Sequence, residues 1–427
     1  MPKKNNKKQL ADSLPLVAID LGSNSVRAMA AEKIGPDMLH VLGYEESQRY
    51  PCVDRGLIVQ TSSAGYMISE ILNLLANRVG VERLPAAFVL LGGASMQVVP
   101  VYSKRDLGLK RSVPTSVLES MRDECKRKIE EHNPNVAVLD LIPAYFVVDG
   151  QEQEEEPSPT QRATLIEAHF SAIVGKKELV DKVHAGFDRG GRTIEHTFTR
   201  PEALLSAFAF EDPSVLTDGC AVLDMGAQTT TLSIYKGTEY LLIKVIQKGG
   251  YHITRLIEQQ GISFDNAETV KRQYGFAAPN LIDKNYTIQI PGSPEINGVW
   301  KTSSEELATL IKQGLDEMVN PLMNILNEYS ERIRCLYITG GASMLQGMPE
   351  YLSEKTSVEI MYGSHAGLLD RRTPDEFCSP AYASLVGALI MGSDYRDAHP
   401  GQLLEQPKLN KIGQTFGQTL VELFTDQ

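Results

Sequence analysis

Two short turns in the sequence share one composition. The first, Asp20-Leu21-Gly22-Ser23-Asn24-Ser25, sets an acid at the end of an apolar run and follows it with a glycine and hydroxyl side chains. The second, Asp224-Met225-Gly226-Ala227-Gln228-Thr229, repeats acid, glycine and hydroxyl. Glycine lets backbone N–H groups approach an oxyanion, and serine or threonine adds donors, so each turn suits a phosphate. Asp20 and Asp224 both suit Mg2+ held through water, because that ion keeps most of its hydration shell. Facing one another, such turns close on a triphosphate from both sides. A third element runs an apolar strand, Leu336-Tyr337-Ile338-Thr339, into Gly340 and Gly341 ahead of a helix-like stretch containing Ser343. The glycine pair leaves room for a nucleoside against backbone, and a helix N terminus favours phosphate oxygens. Glu202, beside Pro201 at the start of a helical pattern, is a candidate for orienting a hydrolytic water; an ordinary first-turn glutamate is the alternative reading.

Those side chains need strands that end at the acids. The apolar runs 16–21 and 26–31 read as strand, turn and strand, and the runs 220–225 and 229–235 repeat the pattern. That recurrence predicts a duplicated lobe. Helical patterns at 64–78, 114–131, 176–186 and 201–210 alternate with strand patterns at 88–91, 137–148 and 165–174, which predicts layered sheets with helices on their faces. A chain of 427 residues with 42% hydrophobic content is long enough for two lobes, each with its own core. The acidic tract 151–159 reads as a solvated loop without chemistry.

A net charge of −12 excludes nucleic acid as the main partner, since the phosphate backbone is repelled. Cys52, Cys125, Cys220, Cys335 and Cys378 are scattered, odd in number and without metal-ligand spacing, which fits a reducing cytoplasm. No signal-peptide core and no run of roughly 18 apolar residues is found, so neither export nor a membrane span is expected. Residues 403–407 read as a linker. Beyond it Leu409, Ile412, Phe416, Leu420, Leu423 and Phe424 fall near a helical period, while Gly413 and Gly417 weaken an isolated helix in water. Such a stripe is commonly core packing; here it fits an interfacial membrane anchor that folds when its apolar face is buried. One such anchor is marginal, and subunits joined in a filament bind through avidity. Lys3, Lys4, Lys7 and Lys8 add attraction to an anionic leaflet, or simply solubilise the segment.

In order and separation, the two acidic turns and the glycine pair resemble the phosphate-1, phosphate-2 and adenosine motifs of the actin, Hsp70 and sugar-kinase superfamily. Within it the chain is similar to the FtsA family over nearly all its length. The resemblance implies an α/β, two-lobed actin-like (ribonuclease H-like) ATPase fold, with an FtsA-type inserted subdomain and a C-terminal amphipathic helix. It implies ATP with Mg2+ in the cleft between lobes. Gly22, Ser23, Asn24 and Ser25 then form the first phosphate loop, with Arg27 where many relatives have lysine. Gly226 and Thr229 line the second loop, in which Ala227 and Gln228 replace the usual glycine run. Lys248, Gly249 and Gly250 match a strand-end glycine pair, Glu268 and Lys271 match a pair that touches ribose and base, and Gly340, Gly341 and Ser343 flank the adenosine.

On that template residues 1–13 are a disordered basic tail, 14–85 and 176–218 the first lobe, and 86–175 the inserted subdomain. Residues 219–253 and 331–372 form the core of the second lobe, 254–330 its smaller, FtsZ-binding subdomain, and 373–398 a return to the first lobe. Residues 399–407 are a linker and 408–427 the membrane-targeting helix. The implied function is a cell-division protein that polymerises on the inner face of the cytoplasmic membrane at the septum. There it anchors the FtsZ ring and meets other division proteins, with at most slow ATP hydrolysis. The alternatives are a pilus-assembly scaffold of the same fold and a superfamily ATPase or small-molecule kinase. For the kinase no general-base carboxylate stands out beyond the two hairpin acids.

Overall fold

The computed structural model describes residues 14–48, 52–237, 239–291 and 299–399. The apolar stripe within 408–427 and the lysines of the first ten residues lie outside the described residues.

Strand β1 (Leu16–Leu21) and β2 (Val26–Gly35) form the first acid hairpin, and β3 (Met38–Glu46) pairs antiparallel to β2. Every residue of β1 is buried, the charged Asp20 included, as in a strand covered on both faces. Helix α1 (Thr61–Val79) stops at Gly80, whose φ of 81° is the left-handed cap that glycine adopts without strain. Strand β4 (Ala87–Leu91) returns parallel to β1. Next come β5 (Gln97–Ser112), α2 (Thr115–His132), β6 (Val136–Val148) and β7 (Arg162–Lys176), which build a sheet of their own. Helix α3 (Lys177–Arg189), strand β8 (Ile194–Thr199) and helix α4 (Arg200–Glu211) rejoin the first lobe, whose sheet runs β8-β4-β1-β2-β3.

The second lobe contains β9 (Cys220–Met225), β10 (Thr230–Lys236) and β11 (Glu239–Ile246). Helices α5 (Gly250–Glu258), α6 (Phe264–Tyr274) and α7 (Ser304–Glu328) follow, then β12 (Cys335–Thr339) and β13 (Glu359–Tyr362). Its sheet runs β11-β10-β9-β12-β13, with two antiparallel and two parallel pairings. The first sheet has the same pairings in the same relative order, so the duplication expected from the two turns is present in the topology. Helix α8 (Ala383–Ala398) closes the described chain by packing on α4 and β1.

Alternation along β9, β10 and β12 assigns the two faces of the second sheet. Cys220, Val222, Tyr235 and Tyr337 join the core that also holds Ile19, Leu204, Phe208 and Leu385. Ala221, Leu223, Leu232, Ile234, Leu336 and Ile338 face a second core with Leu307, Ile311 and Leu315 of α7. The inserted sheet has a core of its own around Leu118, Met121, Phe146, Ile166 and Phe170. It touches the second lobe where the Tyr240 N–H donates to Ser171 Oγ at 3.2 Å.

Two spans differ from the sequence reading. Strand β4, placed by sequence inside the inserted segment, lies between β1 and β8, because parallel pairing on both sides buries all five of its residues. The tract 151–159 is only partly loop. Gln151–Gln153 pairs with Phe146, Val147 and Val148 through a turn at Asp149 and Gly150, both with positive φ, the Asp-Gly chemistry of a two-residue hairpin. Among the described residues no helix is long and apolar enough to cross a membrane.

Candidate functional site

Both acids sit at strand ends, one in each sheet. Asp20 is fully buried near the end of β1 and faces Arg27 across the β1–β2 ladder. Arg27 Nη2 donates to Asp20 Oδ2 at 2.6 Å, and its Nη1 donates to the Ala381 carbonyl at 2.8 Å. Arg200, the first residue of α4, donates through Nη2 to Asp20 Oδ1 and brings Nη1 to 3.6 Å from Asp224 Oδ2. One guanidinium therefore meets the acids of both lobes. Burial alone would raise the pKa of Asp20, but Arg200 and Arg27 outweigh it and hold the carboxyl below its usual range. At Asp224 burial wins, with Asp20 adding to it and Arg200 opposing, and the pKa is raised.

The local fold explains why Arg200 stands there. Strand β8 lies beside β4 and ends at Thr199, whose hydroxyl and backbone form a capping box with Glu202. Pro201 sets the first helical turn, so Arg200 leaves the strand end toward the two hairpins. Glu202 itself is corrected from a candidate water-orienting acid to a helix cap. Its Oε2 accepts from the Thr199 N–H at 2.9 Å and from Thr199 Oγ1 at 2.6 Å, while burial and the neighbouring Asp140 push its carboxyl well above the ordinary value.

The remaining expected residues fall into two groups. In the first loop, Asn24 Oδ1 accepts from the Tyr251 hydroxyl at 2.6 Å, a bond between lobes. Ser25 donates to Glu46, and Ser23 Oγ accepts from the Gly56 N–H at 3.3 Å. In the second loop, Gly226 donates to the Thr229 carbonyl at 2.9 Å, and Gln228 Oε1 accepts from the Arg55 N–H at 2.7 Å. The Gly226 and Ala227 carbonyls accept from Gly250 and Tyr251 at the start of α5, at 2.9 and 2.8 Å. A Cβ at Gly249 would fall 2.5 Å from the Gly226 oxygen, and one at Gly340, where φ is 86°, would fall 2.6 Å from Asp224 Oδ1. Gly250 lies between Ala342 and Lys271. Lys271 is buried and donates to Glu268 Oε2 at 2.6 Å, to Thr254 Oγ1 at 2.9 Å and to the Gly250 carbonyl at 3.1 Å; burial lowers its pKa against the pull of Glu268. Ser343 Oγ donates to the Gly340 carbonyl at 2.7 Å. These contacts string Asp224, Gly340, the second loop, Gly249, Gly250, Lys271 and Glu268 into one strip. Lys248 is turned instead to Glu317 of α7, at 2.6 Å.

This strip suits a nucleoside. Gly341 presents open backbone, since a Cβ there would have nothing within 4 Å, while Gly249 and Gly340 let the second loop and Asp224 close in beside it. The acids do not suit Mg2+. Each oxygen of Asp20 carries a guanidinium and Asp224 Oδ2 lies 3.6 Å from the same cation, so a dication beside either acid meets a fixed positive charge. The cavity lined by Gly92, Gly93, Arg200, Asp224, Thr229 and Thr231 measures about 10 Å³, room for one water and not for a nucleotide.

A twice-built αβ body with matching acid hairpins on facing sheets defines an actin-like protein. The family model for cell division protein FtsA matches residues 221–387. Cell division protein FtsA of Streptococcus pneumoniae is 25% identical over 362 residues, covering 80% of this chain and 74% of that protein. Within the actin-like class, then, the chain is similar to cell division protein FtsA. Among solved structures, a PilM-PilN type IV pilus biogenesis complex superposes with a TM-score of 0.65 at 18% identity, covering 88% of this chain and 98% of that one. MreB 5 of Spiroplasma citri, bound to AMPPNP, gives 0.53 at 14% identity over 91% and 98% of the two chains.

Proposed function

We propose that this chain is a cell-division protein that binds ATP between its lobes and self-assembles at the inner face of the cytoplasmic membrane. There it tethers FtsZ and helps gather other division proteins at the septum. The observation that carries the division role is the similarity to cell division protein FtsA, which extends over 80% of the chain and so includes more than one lobe. Nucleotide binding is supported by the strip of glycines beside Asp224 and by the AMPPNP bound to the similarly folded MreB 5. Membrane contact rests on the sequence of residues 408–427, where Leu409, Ile412, Phe416, Leu420, Leu423 and Phe424 repeat at helical spacing. Partial insertion of such a face leaves a few kcal/mol at most, so filament avidity is part of the reading.

The test is electron microscopy of the full chain with ATP on anionic lipid monolayers, beside a form lacking residues 408–427. Filaments on lipid with the full chain, and bare lipid with the deletion, are the expected result. Equal lipid binding by the two forms overturns the anchor. A flotation assay in which FtsZ reaches vesicles only when this chain is present tests the tether.

A further inference from the structure

We propose that Arg200 stands in for a divalent metal, so that a nucleotide binds this cleft through its phosphates on a protein guanidinium, without Mg2+. The inference deepens the nucleotide reading and rests on it. Charge is the first argument. Asp20 and Asp224 supply two negative charges, and Arg27 and Arg200 already supply two positive ones within ion-pair distance. A dication drawn to these acids meets both guanidinium groups, and like charges in a buried site repel strongly. A phosphate meets the same neutral set from the other side, drawn by two guanidinium groups and repelled by two carboxylates, so the choice falls to the donors left open.

Geometry is the second argument. Guanidinium is a planar fork of five N–H donors that matches two oxygens of a phosphate at once. Arg200 spends Nη2 on Asp20 and Nη1 on Asp224, whereas its Nε is buried with no hydrogen-bond partner among the described residues. An unpartnered buried donor is a cost that an incoming anion removes. Gly92 leaves the space open beside it: a Cβ there would stand 3.3 Å from Arg200 Cζ. The long Nη1–Asp224 contact is the one a phosphate oxygen exchanges for, which also separates the second lobe's acid from the first lobe's cation.

The measurement is a titration of the full chain with a fluorescent N-methylanthraniloyl-ATP, once in excess EDTA and once in excess Mg2+. Equal affinity in the two buffers is expected. A loss of roughly tenfold or more in EDTA overturns the proposal while leaving nucleotide binding intact. Binding in neither buffer instead overturns the nucleotide reading itself. Arg200→Gln is expected to weaken binding in EDTA by about 10- to 100-fold, the value of a charge-assisted bond, with partial recovery in Arg200→Lys. Unchanged binding by a folded Arg200→Gln also overturns it. Should that variant fail to fold, as judged by circular dichroism, the comparison of buffers on the native chain still decides.

Discussion

Arg200 and Glu202 share the first turn of one helix, and burial treats them differently. Arg200 keeps its charge because Asp20 and Asp224 more than offset the loss of water. Glu202 has only hydroxyl and amide donors from Thr199 beside a second carboxyl, Asp140, so the neutral form is favoured. The consequence for pH has a definite sign. Below the ordinary glutamate value of 4.5 both folded and unfolded chains hold the proton, and the contribution to stability is fully present. As pH rises above it the unfolded chain releases its proton first, and stability falls until the raised folded value is passed. Glutamine also serves in a capping box, so Glu202→Gln keeps the helix start and removes the titration. The melting temperature of the native chain minus that of Glu202→Gln is expected to fall steadily as pH is raised from about 4.5 toward neutrality. A difference that stays flat shows that Glu202 ionises normally.

At the scale of elements, the fold depends on how closely α8 approaches α4. A Cβ at Gly387 would lie 1.8 Å from the Ala203 carbonyl oxygen, a contact with rigid helix backbone that no rotamer relieves. Alanine in a helix interior ordinarily gains about 1 kcal/mol over glycine, so the sign of the effect is informative. Gly387→Ala is expected to cost about 1–3 kcal/mol, seen as a lower melting temperature, while Gly341→Ala, which meets open space, leaves it unchanged. Stabilisation by Gly387→Ala contradicts the packing. This scale also marks what the sequence makes legible. The hairpins at Asp20 and Asp224 are readable because an apolar run, an acid, a glycine and a second run are all local signals, and the spans of β1 and β9 follow from them. The turn at Asp149-Gly150 is equally local, but the acidic residues around it read as loop because an edge strand needs no apolar side chains. Arg200 carries no local signal at all. It acquires its place only when β8 pairs with β4 and α4 starts beside two hairpins distant in sequence, which residue spacing does not reveal. The same tertiary rule moves Glu202 from the cleft to the cap.

The whole molecule has two lobes by topology but not by core. One face of the second sheet, through Cys220, Val222, Tyr235 and Tyr337, belongs to the apolar cluster that fills the first lobe, and α4 is the element between them. Phe208 of α4 packs its ring 5.4 Å from that of Tyr337, while Tyr235 Oη donates to the Pro201 carbonyl at 3.2 Å. Cleft bonds from Tyr251 to Asn24 and from Arg55 to Gln228 and Gln247 are exposed or half-buried and add little stability beside this shared core. With its base held by this shared core and its mouth by exposed bonds, the cleft is expected to open at the mouth, and the two sheets are expected to unfold together. Phe208 is 1% exposed, so Phe208→Ala removes a full aromatic side chain and is expected to cost about 3–5 kcal/mol. If the lobes form one cooperative unit, hydrogen exchange followed by mass spectrometry will show β1 of the first lobe and β12 of the second losing protection together in this variant. Loss confined to first-lobe peptides, with β12 unchanged, means that the lobes unfold independently and that the contact through α4 is only a surface between them.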